Sequence, residues 1–282
     1  MKHLIWVTDP HLDRCSPGAR DCFLDSLGRL GNSAQELLIT GDIGQSHTVE
    51  TLLSRMADRF AGPVRFVLGN HDFHHGSIED VRSRVSALAR ADARLTYLSR
   101  ESFIDLGDGV ALVGHDGWGD ACLGNWAGSR VLLDDFHSIQ NLIPLSREEF
   151  VQKLRELGRE AAHHLGSSIE DALQGRATHI LVATHVPPFA GASWHEGRLS
   201  DDDWRPYFTG KAVGDILLSA ARAHPDVSLL VLCGHTHGAG EYVPDGAPNL
   251  RVMTGAASLG APSITGTLDV TQWEMDAPHG ES

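Results

Sequence analysis

The sequence predicts an α/β fold (α+β by some schemes), arranged as a two-sheet β-sandwich flanked by helices, and three observations carry that expectation. Short apolar, β-branched-rich runs recur along the 282 residues, each bounded by Gly or Asp, and read as buried strands. Helical stripes alternate with them through the first half. Asp-Gly turns then join further strand-like runs, so part of each sheet is expected to be antiparallel.

Taken in order, His3 to Val7 (HLIWV) opens the chain as a strand, and Arg20 to Leu30 follows as a helix with Phe23, Leu27 and Leu30 on one face. Leu37 to Thr40 is the second strand. Val49 to Phe60 carries Leu52, Leu53, Met56 and Phe60 at helical spacing. Val64 to Leu68 is a third strand, and Ile78 to Ala89 a third helix with Val81, Val85, Leu88 and Ala89 facing the core. Ser102 to Leu106 and Val110 to Gly114 form a hairpin through Gly107-Asp108-Gly109. After residue 180 come strands at Ile180 to Ala183 and Leu229 to Cys233, with others near Leu250 and Gly266 and a turn at Pro244-Asp245-Gly246.

Residues 116–178 read as a helical insertion. Its helix spans about Arg147 to Leu165, started by a capping box of Ser146 and Glu149 and striped by Phe150, Leu154, Leu157, Ala161 and Leu165. The segment is expected to lie near the functional edge as a cap-like element.

Five islands follow the strand-like runs: Asp9-Pro10-His11, Gly41-Asp42, Gly69-Asn70-His71-Asp72, His185 and Gly234-His235-Thr236-His237. A Gly-Asp dipeptide alone is usually a turn, and Asp-x-His is common by chance. Residues just past the ends of buried strands project into loops along one sheet edge, so the five segments can converge. Carboxylate, imidazole and amide donors without thiolate suit Mn, Fe, Zn or Co, and a carboxylate can bridge two ions about 3.5 to 4 Å apart. A site joining residue 9 to residue 237 cannot be divided, so 1–282 is expected to be a single domain.

In order and type, these blocks resemble the calcineurin-like metallophosphoesterase superfamily, whose pattern is Asp-x-His, Gly-Asp, Gly-Asn-His-Asp/Glu, a lone His and Gly-His-x-His. The resemblance implies that Asp9, His11 and His237 hold one metal, that Asn70, His185 and His235 hold the other, and that Asp42 bridges them. It implies two divalent or trivalent transition-metal ions, Mn, Fe or Zn, that generate a bridging hydroxide for in-line attack on phosphorus. It also makes His71 a catalytic non-ligand beside the leaving group, paired with Asp72 or another carboxylate.

The protein Ser/Thr phosphatases of that superfamily carry Asp-Arg-Gly after Gly-Asp, whereas this chain has Gly41-Asp42-Ile43-Gly44-Gln45-Ser46, and Asp72 where they have Glu. The similarity is instead to small-molecule phosphodiesterases and phosphatases. With no Arg or Lys inside the motif blocks, a diester is favoured over a monoester dianion, although Arg14 could fold over the site. Phosphomonoesterase, nuclease and non-catalytic scaffold are the alternatives.

A net charge of −14 without a Lys/Arg-rich run disfavours a nucleic-acid partner and leaves a small phosphate ester as the expected one. Cys15, Cys22, Cys122 and Cys233 form no C-x-x-C pair, no signal-like segment opens the sequence, and no apolar run reaches the roughly 20 residues of a membrane span. Cytoplasmic location and no membrane partner are expected.

Two loops are candidate pocket walls: Gly114 to Asp120, with Trp118, Asp116 and Asp120, and Phe189 to Asp203, with Trp194, His195 and an acidic triplet. The triplet Asp201 to Asp203 reads better as a solvated surface or a helix cap. Of seventeen histidines the motif uses five; His74 and His75 lie close enough in sequence to reach the pocket, and His115, His163 and His164 read as surface or hydrogen-bonded rings.

Overall fold

A computed structural model describes residues 3–30, 36–143, 145–270 and 272–276. The first half alternates strand and helix: β1 (His3–Val7), α1 (Pro17–Leu30), β2 (Glu36–Thr40), α2 (Val49–Arg59), β3 (Val64–Val67), α3 (Ile78–Ala91) and β4 (Leu95–Tyr97). The hairpin β5 (Ile104–Gly107) and β6 (Val110–His115) follows. Then come α4 (Asp135–Ser138), α5 (Arg147–Gln174), β7 (His179–Thr184), β8 (Trp194–His195), β9 (Arg198–Leu199), α6 (Arg205–Phe208), α7 (Lys211–Ala223) and β10 (Ser228–Cys233). The last strands are β11 (Gly240–Tyr242), β12 (Leu250–Thr254), β13 (Gly266–Asp269) and β14 (Glu274–Asp276).

Two six-stranded sheets face each other. One has the order β14-β13-β1-β2-β3-β4 and the other β11-β12-β10-β7-β6-β5. Their centres are parallel and the antiparallel pairs lie towards the edges: β1 with β13, β13 with β14, β5 with β6, and β11 with β12. The Asp108-Gly109 turn of the β5–β6 hairpin has φ of 53° and 76°, the left-handed pair such a tight turn requires.

Alternation along each strand sorts side chains between three cores. Leu4, Trp6, Leu38 and Val67 of the first sheet meet Leu112, Leu181, Ala183, Leu230 and Leu232 of the second in the space between. The intervening residues Ile5, Val7, Ile39 and Phe66 point outward against α1, α2 and α3. Ile180, Val182, Leu229 and Val231 do the same against α5 and α7. Because both faces are covered, each central strand is apolar throughout.

Helix α5 extends to Gln174, beyond the expected Leu165, because Ile169 and Ala172 continue its buried stripe. Its start is as expected: Ser146 Oγ accepts from Glu149 N–H, and the Glu149 carboxylate accepts from Ser146 N–H at 2.9 Å. Among the described residues no helix is long and apolar enough to cross a membrane.

Candidate metal centre

Strands β1, β2, β3, β7 and β10 are mutually parallel within their sheets, so their C-terminal ends deliver all five sequence islands to one edge. The turns there are tight. Asp9, His11, Asp42, His235 and His237 have φ of 47°, 39°, 54°, 69° and 58°, a left-handed region that costs a non-glycine residue about 1–3 kcal/mol. Backbone hydrogen bonds between islands hold them there: His11 N to Asp42 O at 2.9 Å, Leu12 N to Ile43 O at 3.0 Å and Gly234 N to His185 O at 2.9 Å. Gly69 is packed so closely that a Cβ would stand 2.6 Å from Asp42 N and 2.7 Å from His185 Cε1.

Donor atoms of Asp9, His11, Asp42 and His237 lie within 4.8 Å of one another. His11 Nε2 is 3.2 Å from His237 Nε2 and 3.5 Å from Asp42 Oδ2, and His237 Nε2 is 3.6 Å from Asp9 Oδ1. A second group adjoins the first through Asp42. His185 Nε2 lies 3.3 Å from Asp42 Oδ1 and 3.0 Å from Asn70 Oδ1, which is 2.9 Å from His235 Nδ1. All seven sequence-predicted ligand residues are therefore brought together.

Their electrostatics fit cations. Burial, against the pull of Asp9, brings the His11 ring down to about 3, and burial with the neighbouring His185 brings His235 to about 3. The rings are thus neutral, as metal ligands must be. Burial raises Asp42 well above the usual carboxylate range, and the carboxylates of Asp9 and Asp72 push it further. Burial opposes ionisation of Asp9 too, but His237, His185 and His11 outweigh it and hold that carboxyl low. The sharpest test is His185. Its Nδ1 donates to Thr40 O at 2.8 Å, so its Nε2 presents a lone pair to the Asp42 carboxylate and the Asn70 carbonyl oxygen. A ring lone pair, an amide oxygen and the Asp42 carboxyl converge there, so a bound cation would replace the proton that burial otherwise favours on Asp42.

The family model for calcineurin-like phosphoesterases matches residues 2–239. The chain belongs to the calcineurin-like phosphoesterase family. It is therefore a hydrolase of a family that binds a dinuclear metal centre. Among solved structures, phosphopantetheinyl hydrolase (PptH) from Mycobacterium tuberculosis is similar over 92% of this chain and 90% of that one, with 14% identity and a TM-score of 0.59. PhoD is similar over 92% of this chain but 57% of its own, with 10% identity and a TM-score of 0.52. At these identities the likeness is one of fold. No curated protein matched the sequence.

Around the ligands of this calcineurin-like phosphoesterase, supporting side chains fix orientation. Asp135 Oδ1 accepts from Asn70 Nδ2 at 2.8 Å and from His74 Nε2 at 2.7 Å, which turns the Asn70 oxygen towards the ligand group. Asp135 comes from α4, inside the insertion, and no sequence signal marked it beyond its acidic neighbour Asp134. His74 is thus a buried member of the supporting shell, whereas His75 is exposed. Asp9 is held by Thr8 Oγ1 at 2.6 Å and by His235 N–H at 3.0 Å.

Asp72 is not the partner of His71 that the family pattern suggested. Its carboxylate accepts from Ile43, Gly44 and Gly69 N–H groups at 2.8–2.9 Å and so ties the second island to the third. Burial nonetheless raises it to about 7 against those three donors. The His71 ring instead lies with its centroid 4.3 Å from His74 and 4.7 Å from His11, and Arg14 Nη2 stands 3.2 Å from its Nδ1. Burial, with His11, His74 and Arg14 close by, drives the His71 ring far below its ordinary value.

The expected wall from Gly114 to Asp120 is core instead. Trp118 is buried against Phe73, and Asp116 accepts from Leu68 N, Ser99 Oγ, Tyr97 Oη and Arg82 Nε at 2.6–2.9 Å. Asp120 is spent on the N–H groups of Cys122 and Ala212. The second loop does reach the phosphoesterase's site. His195 Nδ1 lies 3.1 Å from Thr236 O, between two ligand histidines, and its ring packs on Trp204 and Phe208. Phe208 in turn meets His235 edge-on at 5.1 Å. Trp194 is half-buried, with its indole packed over Gly240. Asp201 accepts from the N–H groups of Asp203 and Trp204 in a turn ahead of α6 while Asp202 pairs with Arg205, so the triplet is exposed surface and caps no helix by a side-chain bond.

Proposed function

We propose that this chain hydrolyses small-molecule phosphate esters with two metal ions, Asp9, His11 and His237 binding one, Asn70, His185 and His235 the other, and Asp42 shared. The observation that carries the proposal is the convergence of the His185 lone pair, the Asn70 oxygen and the Asp42 carboxylate. Mn, Fe and Zn all suit these oxygen and imidazole donors.

Bound metals would supply the positive charge that lowers the pKa of water and offsets charge on phosphoryl oxygens. The chain's own groups do the rest. Asp135 keeps the Asn70 oxygen inward, and Thr40 O fixes the tautomer of His185. Asp72 is a positioning residue that keeps Gly69 against Asp42, and His71 turns a ring N–H towards the transferring or departing oxygen. Diesters are the proposed preference, because no Arg or Lys lies within the motif blocks and Arg14, beside them, is engaged by His71. PptH, whose name declares a phosphopantetheinyl substrate, adds that ester to the panel worth testing. In this proposal 1–282 is one catalytic domain, with 116–178 as a cap-like insertion, and the four free cysteines suit the cytoplasm.

The test is to measure bound metals and compare bis(p-nitrophenyl) phosphate, p-nitrophenyl phosphate and natural esters in the wild type and Asp42→Ala. Metal-dependent turnover lost in Asp42→Ala is the expected result. A fully metal-loaded wild type with no activity on any ester would instead support a non-catalytic scaffold.

A further inference from the structure

We infer that Arg14 is a positioning residue for His71: it locks the imidazole in the tautomer that carries its proton on Nε2 and so makes the ring a hydrogen-bond donor to the substrate's oxygen. The proposal rests on the placement of His71 at the metal centre given above.

The direction of the contact is fixed by chemistry. A guanidinium has five N–H donors and no acceptor, so at 3.2 Å Arg14 Nη2 donates and His71 Nδ1 accepts. An accepting Nδ1 carries no proton, which leaves the proton on Nε2. Among the described residues Nε2 has no hydrogen-bond partner, and His71 is partly open to solvent, so this N–H is free to meet a ligand.

Arg14 is built into the site by its backbone. Its N–H donates to His11 O at 2.9 Å, closing the turn that begins at His11, and Leu12 within that turn is buried. Among the described residues no carboxylate pairs with the Arg14 guanidinium, so nothing competes with His71 for it. The other face of the ring is braced by His74, itself held by Asp135. A carboxylate in place of Arg14 would select the opposite tautomer or an imidazolium. The Arg14 contact therefore assigns His71 a different part from that of a carboxylate-paired histidine: a neutral N–H that stabilises charge on oxygen without giving up its proton.

Two measurements test this. Long-range proton–nitrogen spectra of histidine-labelled protein, as purified and after zinc loading, with His71 assigned from His71→Gln, should show an Nε2–H ring in the wild type and in Arg14→Lys. Arg14→Met should show a mixture of tautomers. An unchanged His71 signal in Arg14→Met would overturn the proposal without reference to activity. In kinetics, His71→Ala should lower kcat on the order of 10²-fold, and Arg14→Met on the order of 10-fold, with KM little changed. The double variant should be no worse than His71→Ala, because Arg14 acts through that ring. Multiplied losses would mean that Arg14 acts on substrate directly and would also overturn it. Absence of all turnover in the wild type would count against the hydrolase function, and the tautomer would then decide the role of Arg14.

Discussion

Asn70 offers its oxygen to the ligand group because Asp135 takes its amide protons, and the consequence is measurable. Asp135→Ala should weaken metal binding by about 10- to 100-fold, read by competition with a chelator, while Asp135→Asn, which keeps an acceptor, should lose less. Gly69→Ala places a methyl against Asp42 and His185 and should lose metal as well as about 1–3 kcal/mol of stability, seen as a lower urea midpoint. Residues of this kind divide sharply in how far the sequence disclosed them. The seven residues that converge on the site were legible, since each belongs to a short motif at a strand end. Asp135 was not, because it reaches Asn70 across 65 positions and nothing local in its own segment distinguishes it. Trp118 and Asp116 looked like pocket residues in a glycine-rich loop, but whether such a loop faces inward depends on what packs over it.

Strands β3 and β6 are joined at their ends by Asp116, which binds Leu68 N–H just before the Gly69 island and pairs with the buried guanidinium of Arg82 on α3 at 2.9 Å. Removing it with Asp116→Ala leaves that guanidinium to the half-exposed Glu160 at 2.8 Å and strips an acceptor from Leu68 N–H, and should cost about 1–3 kcal/mol in denaturant unfolding. Burial alone would raise the Asp116 carboxyl, but Arg82, with His115 and Tyr97, holds it below its ordinary value. The unfolded chain therefore takes up this proton first on acidification. The stability Asp116 contributes is fully present above about pH 4 and fades as pH falls through its lower folded value. The difference in midpoint between wild type and Asp116→Asn should accordingly narrow in acid. At this scale the central strands and the first three helices followed from apolar periodicity. Helix α7 escaped notice although Val213, Leu217 and Ala221 form its buried stripe, because Gly214 interrupts the pattern; β4, β8, β9, β11 and β14 have two or three residues, too few for any period to show.

For the whole molecule, a net charge of −14 and the burial that raises the Asp42 carboxyl make its ionisation costly in the metal-free chain, a cost that a bound cation would offset. Manganese or zinc should raise its melting temperature, by about 2.7 kcal/mol of added stability at a concentration 100 times the dissociation constant, and Asp42→Ala should abolish the shift. The proposed ligands also divide between the sheets: Asp9, His11, Asp42 and Asn70 follow strands of one, and His185, His235 and His237 follow strands of the other. His11 and His237 are 226 positions apart in the chain. An ion held between them is a removable rivet through two plates, closing a loop nearly as long as the described chain. Chelation should then speed amide hydrogen exchange at the ends of β1 and β10 together, because withdrawing a rivet frees both plates at once.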